Sequence, residues 1–419
     1  AGKLGPDGWE RVPPLPFELA CLPRGLFRML RLHVVSYALP ALIAIGQVIH
    51  DRAPTANPFK RFARVLAKGP SLRRLRSIMP SSGGFLEAVP LTSFVCMSLA
   101  GAGNEGHEVV RAGTDFLVRM ARPDGSWPID ADLATWVTTQ SLEALATGGR
   151  ELPPEVASVG EELVERQHDE VHPYTGAAPG GWAWTDLPGG VPDVDDTSGA
   201  LLSLACMPGA GASHAARRGV EWLMDLQNDD GGWPTFCRGW GKLPFDRSAP
   251  DLTAHALRAL NAWHDTLADE DLLEEGARVD MAIERGLDYL DREQRDDGSW
   301  VPLWFGNQLQ ENKQNPVYGT ARVLLAYRDL GFADEEQPRR GLAYLVHAQD
   351  ESGGWGGDAG VSPTVEETGL ALTALAGFVE ADEAREACRR GALWLADRVK
   401  EETFTETAPI GLYFAELWY

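Results

Sequence analysis

Three carboxylates fall within four residues in the run Pro192-Asp193-Val194-Asp195-Asp196-Thr197, at the start of an apolar stretch. Acids this crowded repel one another, so one of them is predicted to have a raised pKa and to keep its proton. A helix beginning here partly offsets the charge of the others through its dipole. On residue types alone the run reads more readily as a helix cap with solvated acids. The Gly180-Gly181-Trp182-Ala183-Trp184 segment just before it supplies an apolar, aromatic surround in which a retained proton becomes chemically useful. A second group points the same way. His255 lies one turn into the next comparable helix, behind Asp251 in Asp251-Leu252-Thr253-Ala254-His255. A lone histidine in a helix is usually a satisfied core residue. Held cationic by nearby carboxylates, however, it would hydrogen-bond the far oxygen of an acid and sharpen it as a proton donor.

These residues need elements to position them, and a repeat provides those. Gln227 to Trp233, Gln294 to Trp300 and Gln349 to Trp355 share the spacing Q-x3-G-x-W; Pro123 to Trp127 and Gly180 to Trp182 are weaker copies, the first without its glutamine, the second with only the more distant Gln167. Each copy follows a helix with one apolar stripe, such as RGVEWLMDLQ or RGLDYLDREQ, and precedes a more uniformly apolar one, such as DLTAHALRALNAW or YGTARVLLAY. One-sided helices form an outer layer and all-round apolar helices are buried inside it. Alternating the two kinds predicts an all-α fold, an (α/α)6 toroid barrel of inner and outer helices. The Gly-Trp turns read as structure: glycine permits the bend and tryptophan buries a large face.

A formal charge of −23 excludes nucleic acid as a partner, since nothing here would neutralise phosphates. Cys21, Cys96, Cys206, Cys237 and Cys388 are scattered, with no C-x-x-C pair, which predicts neither a disulfide framework nor a zinc site; no metal or cofactor is expected. No stretch reads as a signal peptide. Val34 to Ile49 is the most apolar segment, interrupted by Pro40, and fits a core helix or a membrane-surface helix.

DVDDT, the Q-x3-G-x-W turns and DLTAH together resemble the squalene-hopene cyclase family, the bacterial class II triterpene cyclases. Further segments agree: Trp9 to Glu18 (WERVPPLPFE), Trp304-Phe305-Gly306-Asn307 followed by Tyr318-Gly319-Thr320, and an ending from Pro409 to Tyr419 that resembles the family's aromatic C-terminal helix. The resemblance implies roles. Asp195 matches the proton donor, with Asp193 and Asp196 supporting it. His255 matches the assisting histidine and Asp251 a carboxylate near it; Tyr318 matches a tyrosine in the reprotonation chain. Trp184 and Trp304 match aromatics that face the growing carbocation. Phe236 stands near where the family often has a tyrosine, and Trp182 and Tyr413 complete the candidate substrate contacts. Indole faces suit this work because they stabilise a cation without supplying a nucleophile to quench it.

The implied activity is protonation of a terminal alkene of squalene, or a similar linear polyprene, starting polycyclisation to a hopene-like product: an isomerase attached peripherally to the cytoplasmic side of a membrane. Leu30 to Ile49 is the segment expected at a substrate entrance or on a membrane-facing surface. C35 and diterpene cyclases use the same acid, and a non-catalytic lipid-binding barrel is the other alternative. A protein prenyltransferase β-subunit is disfavoured because no Asp-x-Cys pair with a later histidine appears. Residues 85–419 read as the acid-bearing barrel and 1–84 as the tail of a second one, with Arg52 to Arg76 as a connection. A second-barrel partner or a homodimer is therefore expected to complete the chamber.

Overall fold

In a computed structural model the chain is described over residues 6–12, 14–146, 156–207, 210–267 and 273–412. The described residues are helical almost throughout: α1 (Arg24–Met29), α2 (Val34–Arg52), α3 (Pro58–Ser77), α4 (Val89–Gly101), α5 (Glu108–Met120), α6 (Ala134–Ala146), α7 (Ala157–Glu165), α8 (Val194–Ala205), α9 (Ala210–Leu226), α10 (Pro250–Leu267), α11 (Leu273–Glu293), α12 (Pro316–Asp329), α13 (Glu336–Ala348), α14 (Val365–Leu375) and α15 (Asp382–Lys400). Two short strands, β1 (Phe305–Asn307) and β2 (Ile410–Leu412), pair antiparallel. The fold is thus all-α and of the α/α kind, as the repeat predicted.

The chain forms two compact units, Ala1–Ser141 with Arg166–Asp196, and Leu142–Glu165 with Thr197–Tyr419. Neither edge falls between residues 84 and 85. The physical reason lies in α4, an apolar helix that packs against α2, so that Leu39, Ile43, Leu75, Phe85, Val95 and Leu99 share one core.

In the first unit α2 continues through Pro40 and buries most of its length. By length and composition it could cross a membrane, but most of it is buried in the core of this unit, while Leu30 ahead of it is 47% exposed. The connection expected from Arg52 to Arg76 is also largely helix. Asn57 caps α3 by accepting from the Phe59 and Lys60 amides, and Pro58 occupies the first turn, where its missing N–H costs nothing.

In the second unit α10, α12 and α14 pack side by side as an inner layer, with α11, α13 and α15 outside them. The Q-x3-G-x-W turns join the layers by one clamp used repeatedly. Trp233, Trp300 and Trp355 are fully buried, and each indole N–H donates to the carbonyl ten residues earlier, on Leu223, Leu290 and Leu345. Their backbone amides donate to Thr253, Thr320 and Thr368 on the following inner helix. Gln227, Gln294 and Gln349 each donate both to the turn glycine's carbonyl and to a carbonyl of the next outer helix, on Ala282, Gln337 and Ala387. Gly298 shows why glycine is required: its φ is +89°, and a Cβ would meet the Arg340 carbonyl oxygen at 2.5 Å.

The weak copies behave differently. Trp127 is 51% exposed and keeps only the indole bond to Leu117. In the other, the distant Gln167 still reaches the Gly180 carbonyl at 2.7 Å. The ending expected as an aromatic helix is strand at Ile410–Leu412, and Tyr413 lies outside the described residues.

Candidate active site

The acid run caps a helix. Asp193 Oδ1 accepts from the Asp196 amide at 2.9 Å, and the Asp193 amide donates to the Trp182 carbonyl at 3.0 Å, so the turn tryptophan fixes the entry to α8. Asp193 and Asp196 are buried; Asp195, between them in the first turn, is half-buried. Burial, with the charge of Asp195 added, pushes Asp193 up to about 7. Burial and then the neighbouring Asp193 hold Asp196 well above the usual carboxylate range, with Asp195 and Asp130 adding to the effect. Two enclosed acids that keep protons therefore flank one carboxyl with access to open space.

The same unit holds Trp184. Its carbonyl accepts from the Thr135 and Trp136 amides at the start of α6, and the residue is half-buried. Trp182 is fully buried and serves as a strut behind Asp193, with no face left for a substrate. Two acids missed in the sequence also belong here. Asp130 is raised to about 6 by burial. Glu87, buried and raised for the same reason, accepts from the Ser82 hydroxyl at 2.6 Å and the Gly189 amide at 2.8 Å, tying down the loop between Trp184 and Asp193. Leu86 and Glu87 have φ of +55° and +49°, a strained conformation for non-glycine residues held by those bonds. A lone glutamate in FLEAVPL is the only trace of this in the sequence.

The second unit brings together His255, Asp251, Tyr318, Trp304 and Phe236. Asp251, buried in the first turn of α10, accepts from the Leu303 amide at 3.3 Å. Tyr318 is buried, receives its cap from Asn315 and stacks on Phe305 with ring centroids 4.9 Å apart. Asn307 and Asn315 both donate to the buried Glu367, which fixes β1 and the start of α12 together. Trp304 meets Phe236 at 6.4 Å and Phe245 at 6.2 Å, with Phe236 and Phe245 at 5.6 Å. Phe245, not anticipated, completes a half-buried aromatic group where the family often has a tyrosine nearby. His255 Nδ1 lies 2.8 Å from Arg322 Nη2 and Nε2 lies 3.8 Å from Glu143 Oε1. Among the described residues no group of histidine, cysteine, aspartate or glutamate is arranged to hold a metal.

An α/α fold with acids gathered at the N-terminus of an apolar helix is the design of the class II terpene cyclases. More narrowly, residues 133–419 match the squalene-hopene cyclase C-terminal domain, and the chain belongs to that family. It is 28% identical over 348 residues to enfumafungin synthase from Hormonema carpetanum, covering 74% of this chain and 25% of that protein. It is 28% identical over 330 residues to squalene-hopene cyclase from Bradyrhizobium diazoefficiens, covering 70% of this chain and 47% of that one. The chain thus spans about a quarter to a half of the length of these relatives. Among solved structures, ent-copalyl diphosphate synthase from Streptomyces platensis superposes with a TM-score of 0.51 over 91% of this chain and 88% of that one, at 18% identity, a likeness of fold.

Proposed function

We propose that this chain is the acid-bearing part of a class II cyclase acting on squalene or a similar linear polyprene. The observation that carries the reading is the half-buried Asp195 between two buried, proton-holding acids at the head of α8. Asp195 gives its proton to the terminal alkene, whose π electrons form the new C–H bond and leave a tertiary cation. Successive alkenes attack that cation and close rings, and the last cation releases a proton to a base, so the sum is an isomerisation. Water entering at that step gives an alcohol instead. Trp184, in the same unit as Asp195, supplies an aromatic ring for the developing charge.

A water-insoluble substrate arrives from lipid, and α3 supports peripheral attachment to the cytoplasmic face of a membrane. Phe59 and Phe62 are 85% and 66% exposed and lie among cations from Lys60 to Arg76, with no acidic residue in the helix. This face replaces α2 in the membrane reading.

Asp195→Asn keeps the shape of the side chain and removes the proton. Incubated with squalene and with C20 and C35 polyprenes, the unaltered protein should yield cyclic products by gas chromatography and the Asn variant none. Turnover by the variant above a few per cent of the original would overturn the assignment, and binding of polyprenes without any cyclic product would favour the lipid-binding alternative.

A further inference from the structure

Arg322, paired with His255 in the interior, has no role in the cyclase reading. His255 is 1% exposed and Arg322 6%. A guanidinium has five N–H donors and no lone pair to offer. At 2.8 Å from Arg322 Nη2, His255 Nδ1 is therefore the acceptor, and the ring proton is on Nε2, the nitrogen that faces Glu143. We infer that Arg322 is a positioning residue: it fixes His255 as the neutral Nε2–H tautomer and supplies, from behind the ring, the permanent positive charge that the imidazole does not carry.

The surrounding charges agree. Glu143 on α6 faces His255 and lies 3.5 Å from Arg258 Nη1; Arg258 reaches Asp329 on α12 at 2.7 Å, and Arg328 joins Asp329 at the more exposed edge. Asp251 lies one turn before His255 on the same helix, and the Cys206 thiol feels both Glu143 and Arg258. Burial would raise Glu143, but the His255 hydrogen bond and the Arg258 charge outweigh it and hold the carboxyl at about 2. A second proton, on Nδ1, would break the Arg322 bond, since neither group would then have a lone pair to offer. In this geometry the ring accepts at Nδ1 and turns its Nε2 toward Glu143.

The tautomer is tested apart from catalysis. Protein labelled with 15N-histidine, with the His255 signal identified by its loss in His255→Gln, should show a bare Nδ1 and a protonated Nε2 in neutral buffer. Arg322→Gln should release the ring from the single tautomer, so that the proton is shared between Nδ1 and Nε2. Arg322→Lys, also a pure donor, should restore the single tautomer. A wild-type His255 that is doubly protonated in that buffer, or protonated on Nδ1, would overturn the inference. So would an Arg322→Gln variant with unaltered signals. Should Arg322→Gln fail to fold, the wild-type and Lys spectra decide alone. The catalytic consequence rests on the proposed cyclase reading. Arg322→Gln should lower kcat on the order of 10²-fold, in the range of a positioned acid–base group, with KM little changed and Arg322→Lys partly rescued. Absence of any cyclisation by the unaltered protein would sink the cyclase reading and leave the tautomer result standing.

Discussion

At the scale of single residues, the acid run was legible because its chemistry is local. Three carboxylates in four positions must interact whatever surrounds them, and the structure adds which two are enclosed. A pH effect on stability follows. Burial lifts Asp193 to about 7 and holds Asp196 well above the usual carboxylate range, whereas in the unfolded chain each ionises near roughly 3.9. From about pH 4 to 7 the folded state therefore binds more protons than the unfolded one, and stability falls as pH rises through that window. The melting temperature should drop between pH 5 and pH 8. General repulsion in a chain of net charge −23 acts in the same direction, so the decisive comparison is with Asp193→Asn/Asp196→Asn, which keeps a capping side chain and should flatten the curve. Parallel curves would refute the assignment. Glu87, Arg322 and Glu143 were not legible. Each is a lone polar residue in an apolar segment, and its meaning comes from a partner tens of residues away: Gly189 for Glu87, His255 for Arg322 and Glu143.

At the scale of elements, spacing gave the helices and their two layers, because a period of 3.6 and a turn motif are both local signals. It misjudged Arg52 to Arg76, where a high density of charge and proline reads as linker although Asn57-Pro58 is a good helix start. The turn glycines offer a graded test. Gly298 and Gly125 both have positive φ, +89° and +83°, but a Cβ on Gly298 would strike the Arg340 carbonyl while one on Gly125 would meet nothing within 4 Å. Gly125→Ala should lose only the left-handed penalty, about 1–2 kcal/mol. Gly298→Ala should lose that and the clamp geometry as well, for a total on the order of 3 kcal/mol or more in the range of strongly destabilising substitutions. Urea unfolding of the two variants measures the difference, and equal losses would show that the clamp contributes little.

At the scale of the whole molecule, the family was readable from motifs, whereas the boundaries of the compact units were not. Packing of α4 on α2 depends on side-chain fit between apolar helices, which no motif records. Charge distribution was hidden by its sum. Within a chain of −23, α3 gathers cations around exposed Phe59 and Phe62. Such a face suits anionic lipid, where each basic residue near the surface adds about 1 kcal/mol. Phe59→Asp/Phe62→Asp should abolish sedimentation with vesicles containing phosphatidylglycerol while leaving the helical circular dichroism unchanged. Binding that survives both the substitution and high salt would remove α3 from the membrane reading.

Each glutamine clamp in the second unit fastens one outer helix to the next and reaches no further. Cohesion along that unit is therefore passed hand to hand, like links in a chain, with every link seated only while its neighbour is. Amide exchange should follow this order, slowest around Trp300, which has a clamped turn on either side, and progressively faster toward α15. Cutting the link at Gln349 should loosen α15 and leave the protection around Trp233 as it was.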